Sequence, residues 1–272
     1  MNKVISIILL VMTTFWSSCT FLSKKVIYYD NGKTAECRNC SAIKKIPKNI
    51  KVLQIDTRKC QNIPRDWDFP ELEELIIISG EINFPNETPS TKISSISILD
   101  PILDSVPNFI YGNSNLENLV IFLNDDLNLN DDLFEGLKKI KKLKLGIRTM
   151  SRVPKFIYSL ENLEELVILS DNVEKNLVLK KNLLKLTKLK RIEIPIDFSQ
   201  NSEILANLPN LKYLRLQTFS NLDLGKKHLK RMIHLKEICI DEISASNQVL
   251  VAELLPEVQF ICRNNHLKPF DW

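Results

Sequence analysis

The chain has 272 residues, 44% of them hydrophobic, and a net charge of +4. That hydrophobic share is ample for a core, and so mild a charge is not the electrostatic footprint of a nucleic-acid binder. No Ser/Gly linker or low-complexity stretch divides the chain, so it reads as one elongated domain behind a leader.

The first nineteen residues read as an address. Lys3 supplies positive charge, and Val4 to Trp16 is an apolar run the size of a signal-peptide core. The run is too short for a comfortable membrane span, which takes ~20 residues. Ser17 and Ser18 stand before Cys19; small residues immediately ahead of a cysteine resemble a bacterial lipobox. The resemblance implies a signal peptide over 1–18 and a diacylated Cys19 as the mature N-terminus, with palmitate among its acyl chains. Trp16 departs from the aliphatic residue usual in that pattern, and plain secretion after cleavage near Ser18 is the alternative. Thr20, in a place where Asp resembles an inner-membrane retention signal, favours the outer membrane of a bacterial envelope as the destination. Residues 19–45 are assigned to anchor, tether and N-terminal cap. They hold Cys37 and Cys40, but a redox reading of that pair needs a βαβ context that is absent.

From residue 46 one short phrase recurs: aliphatic, two residues, aliphatic, one residue, aliphatic. It reads Ile50-Leu53-Ile55, Leu72-Leu75-Ile77, Ile93-Ile96-Ile98, Leu116-Leu119-Ile121 and Ile140-Leu143-Leu145. It continues as Leu163-Leu166-Ile168, Leu189-Ile192-Ile194, Leu211-Leu214-Leu216, Leu235-Ile238-Ile240 and, more weakly, Leu255-Val258-Phe260. Copies begin roughly 20–26 residues apart, the period of a solenoid. The last two aliphatics of each copy are two apart and share one side of a short strand. One strand cannot bury its own apolar edge, so neighbouring copies must stack their strands in parallel around a continuous core.

Between copies, apolar residues step by three. Phe134, Leu137 and Ile140 do so, as do Ile157, Leu160 and Leu163, and Leu205, Leu208 and Leu211. That step predicts a short helix or 3₁₀ turn lying against the strand layer. Ile63-Pro64, Val106-Pro107 and Val153-Pro154 mark where such return segments begin, because proline presets a turn or a first helical turn.

These phrases, most fully Val153-Pro154-Lys155-Phe156-Ile157 through Asn172, resemble the leucine-rich-repeat family over about residues 40–262. The resemblance implies an α/β fold: a solenoid of about ten repeats, with a concave parallel sheet and short helices or 3₁₀ turns on the convex side. The repeats are taken to fill residues 46–262, followed by a C-terminal tail, 263–272. The family usually places Asn three residues after the strand's last aliphatic. Asn124 fits, and Asp171 and Asp197 serve in part; Arg58, Gly80, Arg148, Phe219 and Ile243 do not fit. Cysteines just ahead of the first repeat resemble the flanking caps of extracellular leucine-rich-repeat proteins. Cys60 falls at an inward position, where it either bonds Cys37 or Cys40 or simply packs. Cys239 lies between Ile238 and Ile240 and is expected to point outward. A helix from Val249 to Leu255 followed by a last strand resembles the closing repeat of many bacterial members.

No motif for chemistry is present. The chain lacks a phosphate-cradling Gly-rich loop, a zinc-protease His pair and a nucleophile elbow, and Asp125-Asp126 with Asp131-Asp132 lack the spacing of a calcium loop. No catalytic residue, metal or cofactor is expected. Residues alternating with the aliphatics face the concave side. Among them Ile76, Ile78, Val120, Phe122, Val167 and Leu169, interrupted by Lys144 and continued at Arg215, form the expected surface for a protein partner, since exposed apolar strips often mark binding. Phe122 is the expected anchor. Lys138, Lys139, Lys141, Lys142 and Lys144, followed by Lys188, Lys190, Arg191, Lys212 and Arg215, suggest a basic ridge for acidic polysaccharide or lipid headgroups, or plain solvated sites. The expected function is non-catalytic recognition by an envelope-tethered protein, with the membrane engaged through Cys19 and no nucleic acid. A structural scaffold in envelope assembly is the alternative, and an enzyme with an unrecognised site a more distant one.

Overall fold

Each copy of the phrase becomes a strand, and every strand lies beside the next. The computed structural model describes residues 26–260, apart from 39, 57–61, 65–66, 79–82, 85, 87–88, 100–102, 126–133, 135, 174–176 and 219–221. The segments expected to be leader and C-terminal tail, with Cys19, Cys60 and Cys262, therefore lie outside the described residues, as does the side chain of Cys40. The strands are β1 (Val26–Tyr29), β2 (Thr34–Cys37), β3 (Val52–Asp56), β4 (Glu74–Ile78), β5 (Ser95–Leu99), β6 (Asn118–Asp125) and β7 (Lys142–Met150). They continue with β8 (Glu165–Leu169), β9 (Asn172–Val173), β10 (Arg191–Asp197), β11 (Tyr213–Thr218), β12 (Glu237–Glu242) and β13 (Gln259–Phe260). All join one sheet in chain order, except that β9 pairs with β7 and leaves β8 beside β10. Pairing is parallel from β2 onward and antiparallel only in the β1–β2 hairpin. The fold is an α/β leucine-rich-repeat solenoid.

Register follows from the aliphatics. Leu53, Leu75 and Ile96 align across β3, β4 and β5, and Leu143, Leu166 and Ile192 across β7, β8 and β10. These residues are buried in one core cluster that also holds the step-of-three aliphatics of the return segments. The backbone at each strand start is as regular. Two consecutive amides donate to one carbonyl of the preceding repeat: Glu164 and Glu165 to Lys141 at 2.7 and 3.0 Å, then Lys190 and Arg191 to Glu164 at 2.8 and 3.1 Å. The same device runs from the Lys33 carbonyl to that of Lys212, so the chain's direction is reset in the same way at each of these turns of the solenoid.

The return segments change character along the chain. Early ones are short: α1 (Asn108–Tyr111) after Pro107, and 3₁₀ turns at Lys155–Ser159 after Pro154 and at Lys181–Lys185. An aromatic run lies among them. Trp67 and Phe84 meet Phe109 at ring separations of 5.7 and 5.6 Å, Tyr111 meets Phe134 edge-on at 5.2 Å, and Phe134 stacks on Phe156 at 3.7 Å. Later segments are helices: α2 (Phe198–Ala206), α3 (Leu222–Leu229) and α4 (Ala245–Leu254). Asp197 caps α2 by accepting from the Gln200 amide, and Ser244 caps α4 by accepting from the Asn247 amide. Asp197 thus starts a helix instead of serving the post-strand turn. Buried Asn201 ties α2 to the preceding repeat: its Oδ1 accepts from the Leu179 amide at 2.6 Å, and its Nδ2 donates to the Leu177 and Asp197 carbonyls.

The N-terminal edge is covered by the hairpin. Asp30, Asn31 and Gly32 turn it with three successive positive φ angles of 52°, 56° and 82°, a conformation that Gly adopts freely and Asn and Asp more readily than other residues. Cys37 closes β2 and is fully buried in the core, aligned with Ile55.

Candidate functional site: the concave face

The concave face carries two rows of side chains. One reads, strand by strand, Gln54, Ile76, Ser97, Val120, Lys144, Val167, Glu193, Arg215 and Cys239, each aligned with the next. In the second, Asp56, Ile78 and Leu99 align on β3 to β5, and Phe122, Gly146 and Leu169 align on β6 to β8. The structure brings all the proposed contact residues onto one face. Ile76, Ile78, Leu99, Val120, Val167 and Leu169 are half-buried there, an aliphatic strip from β4 to β8 interrupted at β7 by Lys144 and Gly146.

Phe122 corrects the expectation made for it. It does alternate away from the core aliphatics, but it is only 1% exposed. The reason is Gly146, its ladder partner on β7. A Cβ built at Gly146 would come within 2.0 Å of Cδ1 of the Phe122 ring, so the ring occupies the space a side chain would fill. Phe122 is therefore a packed part of the face and not an anchor offered to a partner.

Lys144 sits between Val120 and Val167 in its row. Burial drives its pKa down from the usual 10.5 to about 8, with Glu193 pulling it up and Arg191 pushing it further down. The folded value lies below the unfolded one. The cost of holding the charged amine is thus full below pH ~8 and fades as pH rises to the unfolded value. Lys144→Met is expected to raise the melting temperature at pH 7, by an amount that shrinks toward pH 10.5. An equal difference at both pH values would show that the amine is not desolvated.

Beyond Val167 the face turns polar. The Arg191 guanidinium lies 3.8 Å from the Tyr213 ring centre and pairs with Glu193, while Arg215 donates to Asp241 Oδ1 at 3.0 and 3.2 Å. Sequence reasoning missed the Arg191–Tyr213 stack. Its one signal was that both residues hold the first position of adjacent strands.

The expected basic ridge is not a bare row of positive charge. Lys141 pairs with Glu117 at 2.9 Å, Lys142 with Glu165 at 2.8 Å and Lys190 with Glu164 at 2.6 Å. Lys139 and Lys188 donate to the amide oxygens of Asn115 and Asn162, both at 2.6 Å. Those asparagines, with Asn210, donate in turn to turn carbonyls of the preceding repeat: Asn115 to Thr91, Asn162 to Lys138 and Asn210 to Thr187. The asparagine ladder of this solenoid therefore runs through the turns before the strands. Asn124, which fitted the post-strand position, spends its side-chain amide on Asp104 Oδ1.

Cys239 holds the next place on this face, on the outward side expected for it. It occupies the outward row but is 1% exposed and disulfide-bonded. Among the described residues no group of three or more His, Cys, Asp or Glu side chains is placed to hold a metal ion, and no helix is long and apolar enough to cross a membrane.

Solved structures share this architecture. A leucine-rich-repeat protein of Leptospira interrogans superposes with a TM-score of 0.55 at 18% identity, over 79% of this chain and 55% of its own. An internalin of Listeria monocytogenes gives 0.58 at 11% identity, over 82% of this chain and 63% of its own. Human trophoblast glycoprotein gives 0.54 at 11% identity, over 89% of this chain and 90% of its own. The chain thus spans about half to two thirds of the length of the first two. No protein-family profile and no curated protein sequence matches it. Fold and face together define a leucine-rich-repeat solenoid, a scaffold that presents an extended concave surface.

Proposed function

We propose that this chain is a non-catalytic recognition protein that binds a protein partner through the concave face. The observation that carries the reading is the half-buried aliphatic strip of Ile76, Ile78, Leu99, Val120, Val167 and Leu169, interrupted at β7 by Lys144 and Gly146. A rigid parallel sheet holds these side chains in place, so a partner gains apolar burial without ordering the receptor first. Arg215, beside Asp241 at the polar end, sits where rim contacts set orientation. The face is expected to work from a bacterial outer membrane, tethered through a lipidated Cys19. The apolar run from Val4 to Trp16 and the Ser17-Ser18-Cys19 sequence support that address.

One set of cells tests both parts. The full chain is expressed in a bacterial host with a fatty-acid analogue, and envelope and extracellular proteins captured on it are compared with those captured on Val120→Asp and Val167→Asp. A specific partner is expected to be lost at least about tenfold from both variants, because a carboxylate on an apolar contact must be desolvated. Melting temperatures should change little, since both side chains face away from the core. Undiminished capture would move the site off this face. Label retained by Cys19→Ser would end the lipid-tether reading independently.

A further inference from the structure

We infer that the protein partner of the concave face brings a lysine or arginine side chain onto Glu74, with apolar contacts beside it on Ile76 and Ile78. The inference rests on the concave-face reading and adds the charge that the partner must carry. Glu74 is the first residue of β4, on the same outward side as Ile76 and Ile78, and like them is half-buried. Among the described residues no hydrogen bond or ion pair reaches its carboxylate. Burial, with no neighbouring charge to oppose it, lifts its pKa above the ordinary value.

Nearby acids are placed differently. Glu73 pairs with Lys51, Glu71 with Lys92 at 2.7 Å and Glu117 with Lys141 at 2.9 Å. Those pairs stand in the solvent-exposed turns before the strands, where an ion pair is worth little. Glu74, inside the face, has more to gain from a cation and has none. The register gives the reason. Glu74 aligns with Val52 on β3 and Ser95 on β5, and the next row holds Gln54, Ile76 and Ser97. All five of these neighbours are uncharged. The outward residues of β3 to β6 include two acids, Asp56 and Glu74, and no Lys, Arg or His. Outward bases begin at β7, with Lys142 and Lys144. Three strand spacings separate β7 from β4, about 14 Å at ~4.8 Å each, too far for either amine to pair with Glu74.

The consequence for binding follows from desolvation. A partner that packs on Ile76 and Ile78 strips the remaining water from Glu74. A carboxylate buried without a counter-charge is costly, so the site rejects an apolar or acidic group at that point. A lysine or arginine repays the loss with a charge-assisted hydrogen bond, roughly twice as strong as a neutral one. Its aliphatic stem also covers apolar surface, so one side chain spans Glu74 and Ile76 together. Glu74 thereby selects among apolar partners by charge.

The first measurement needs no partner. Glu74→Gln keeps the shape and removes the charge, and is expected to melt no lower than the wild type at neutral pH. A clearly lower melting temperature would show that the fold itself uses the carboxylate, and would overturn the inference. The second measurement uses a displayed library of random dodecapeptides, selected on the full chain. Selected peptides are expected to carry Lys or Arg beside apolar residues. Replacing that basic residue by Ala should weaken binding to the wild type about tenfold or more, and should change binding to Glu74→Gln little. Peptides lost on Val120→Asp and Val167→Asp, yet without a basic preference or indifferent to Glu74→Gln, would overturn the inference and leave the concave-face reading standing. Peptides that need Glu74 but bind Val120→Asp and Val167→Asp normally would keep the Glu74 contact and reject the wider face. No selection on the wild type above that on Val120→Asp, Val167→Asp and Glu74→Gln would overturn both.

Discussion

Leu166→Ala is expected to destabilise the fold by about 2–5 kcal/mol, the range for removing a large aliphatic from a packed core. Leu166, second of the five residues of β8, is 0% exposed and aligned with Leu143 on one side and Ile192 on the other. Both neighbours belong to adjacent turns of the solenoid, so the cavity interrupts the core between repeats, where no other element can move in to fill it. The preceding residue provides the control. Glu165 lies on the other side of the strand, and its pair with Lys142 at 2.8 Å is exposed to solvent. Glu165→Ala is expected to cost no more than about 0.5 kcal/mol. Denaturant melts of the two variants decide: similar losses would contradict the inward register of β8.

Gly146→Ala is expected to cost about 1–3 kcal/mol, although it adds one methyl group to the outer face of a strand. Three ring atoms of Phe122 stand within 2.9 Å of where that methyl would lie. The ring is rigid and almost fully buried, so it must swing away from its seat. The strain belongs to the pair, which makes the double-mutant cycle decisive. In a Phe122→Ala background the glycine substitution should cost little, or gain slightly by lowering the entropy of the unfolded chain. A cost that persists without the ring would place the strain in the β7 backbone and not in the Phe122 contact.

Phe122 also shows where sequence reading stops. Its side of the strand was legible, because strand side chains alternate with a period of two and its neighbours Ile121 and Leu123 are buried in the core. Its exposure was not, because that depends on a glycine 24 residues later, brought alongside by the stacking of β6 on β7. The lysines repeat the lesson. Read along the chain, Lys138 to Lys144 is a block of positive charge. In the fold, Lys141 and Lys190 meet glutamates 24 and 26 residues away. Stacked repeats put chemically matched positions side by side, so the relevant neighbour lies about one period away and local charge runs overstate the field.

The amino-acid sequence by itself determined the solenoid. The ten aliphatic phrases, their spacing and the apolar steps of three between them leave parallel stacking as the way to bury those side chains; the core holds the first nine with the expected side of each strand inward, and Val258 and Phe260 of the last pack against it. Tertiary structure alone decided the character of the surface. It set Phe122 into the space above Gly146, desolvated Lys144 among aliphatics, moved the asparagine ladder to the turns before the strands, and placed Cys239 in a disulfide. The physical reason is the range of the forces. Burial periodicity is written into each repeat, whereas the environment of an outward side chain is composed by residues of the adjacent repeats, which no single stretch of sequence contains.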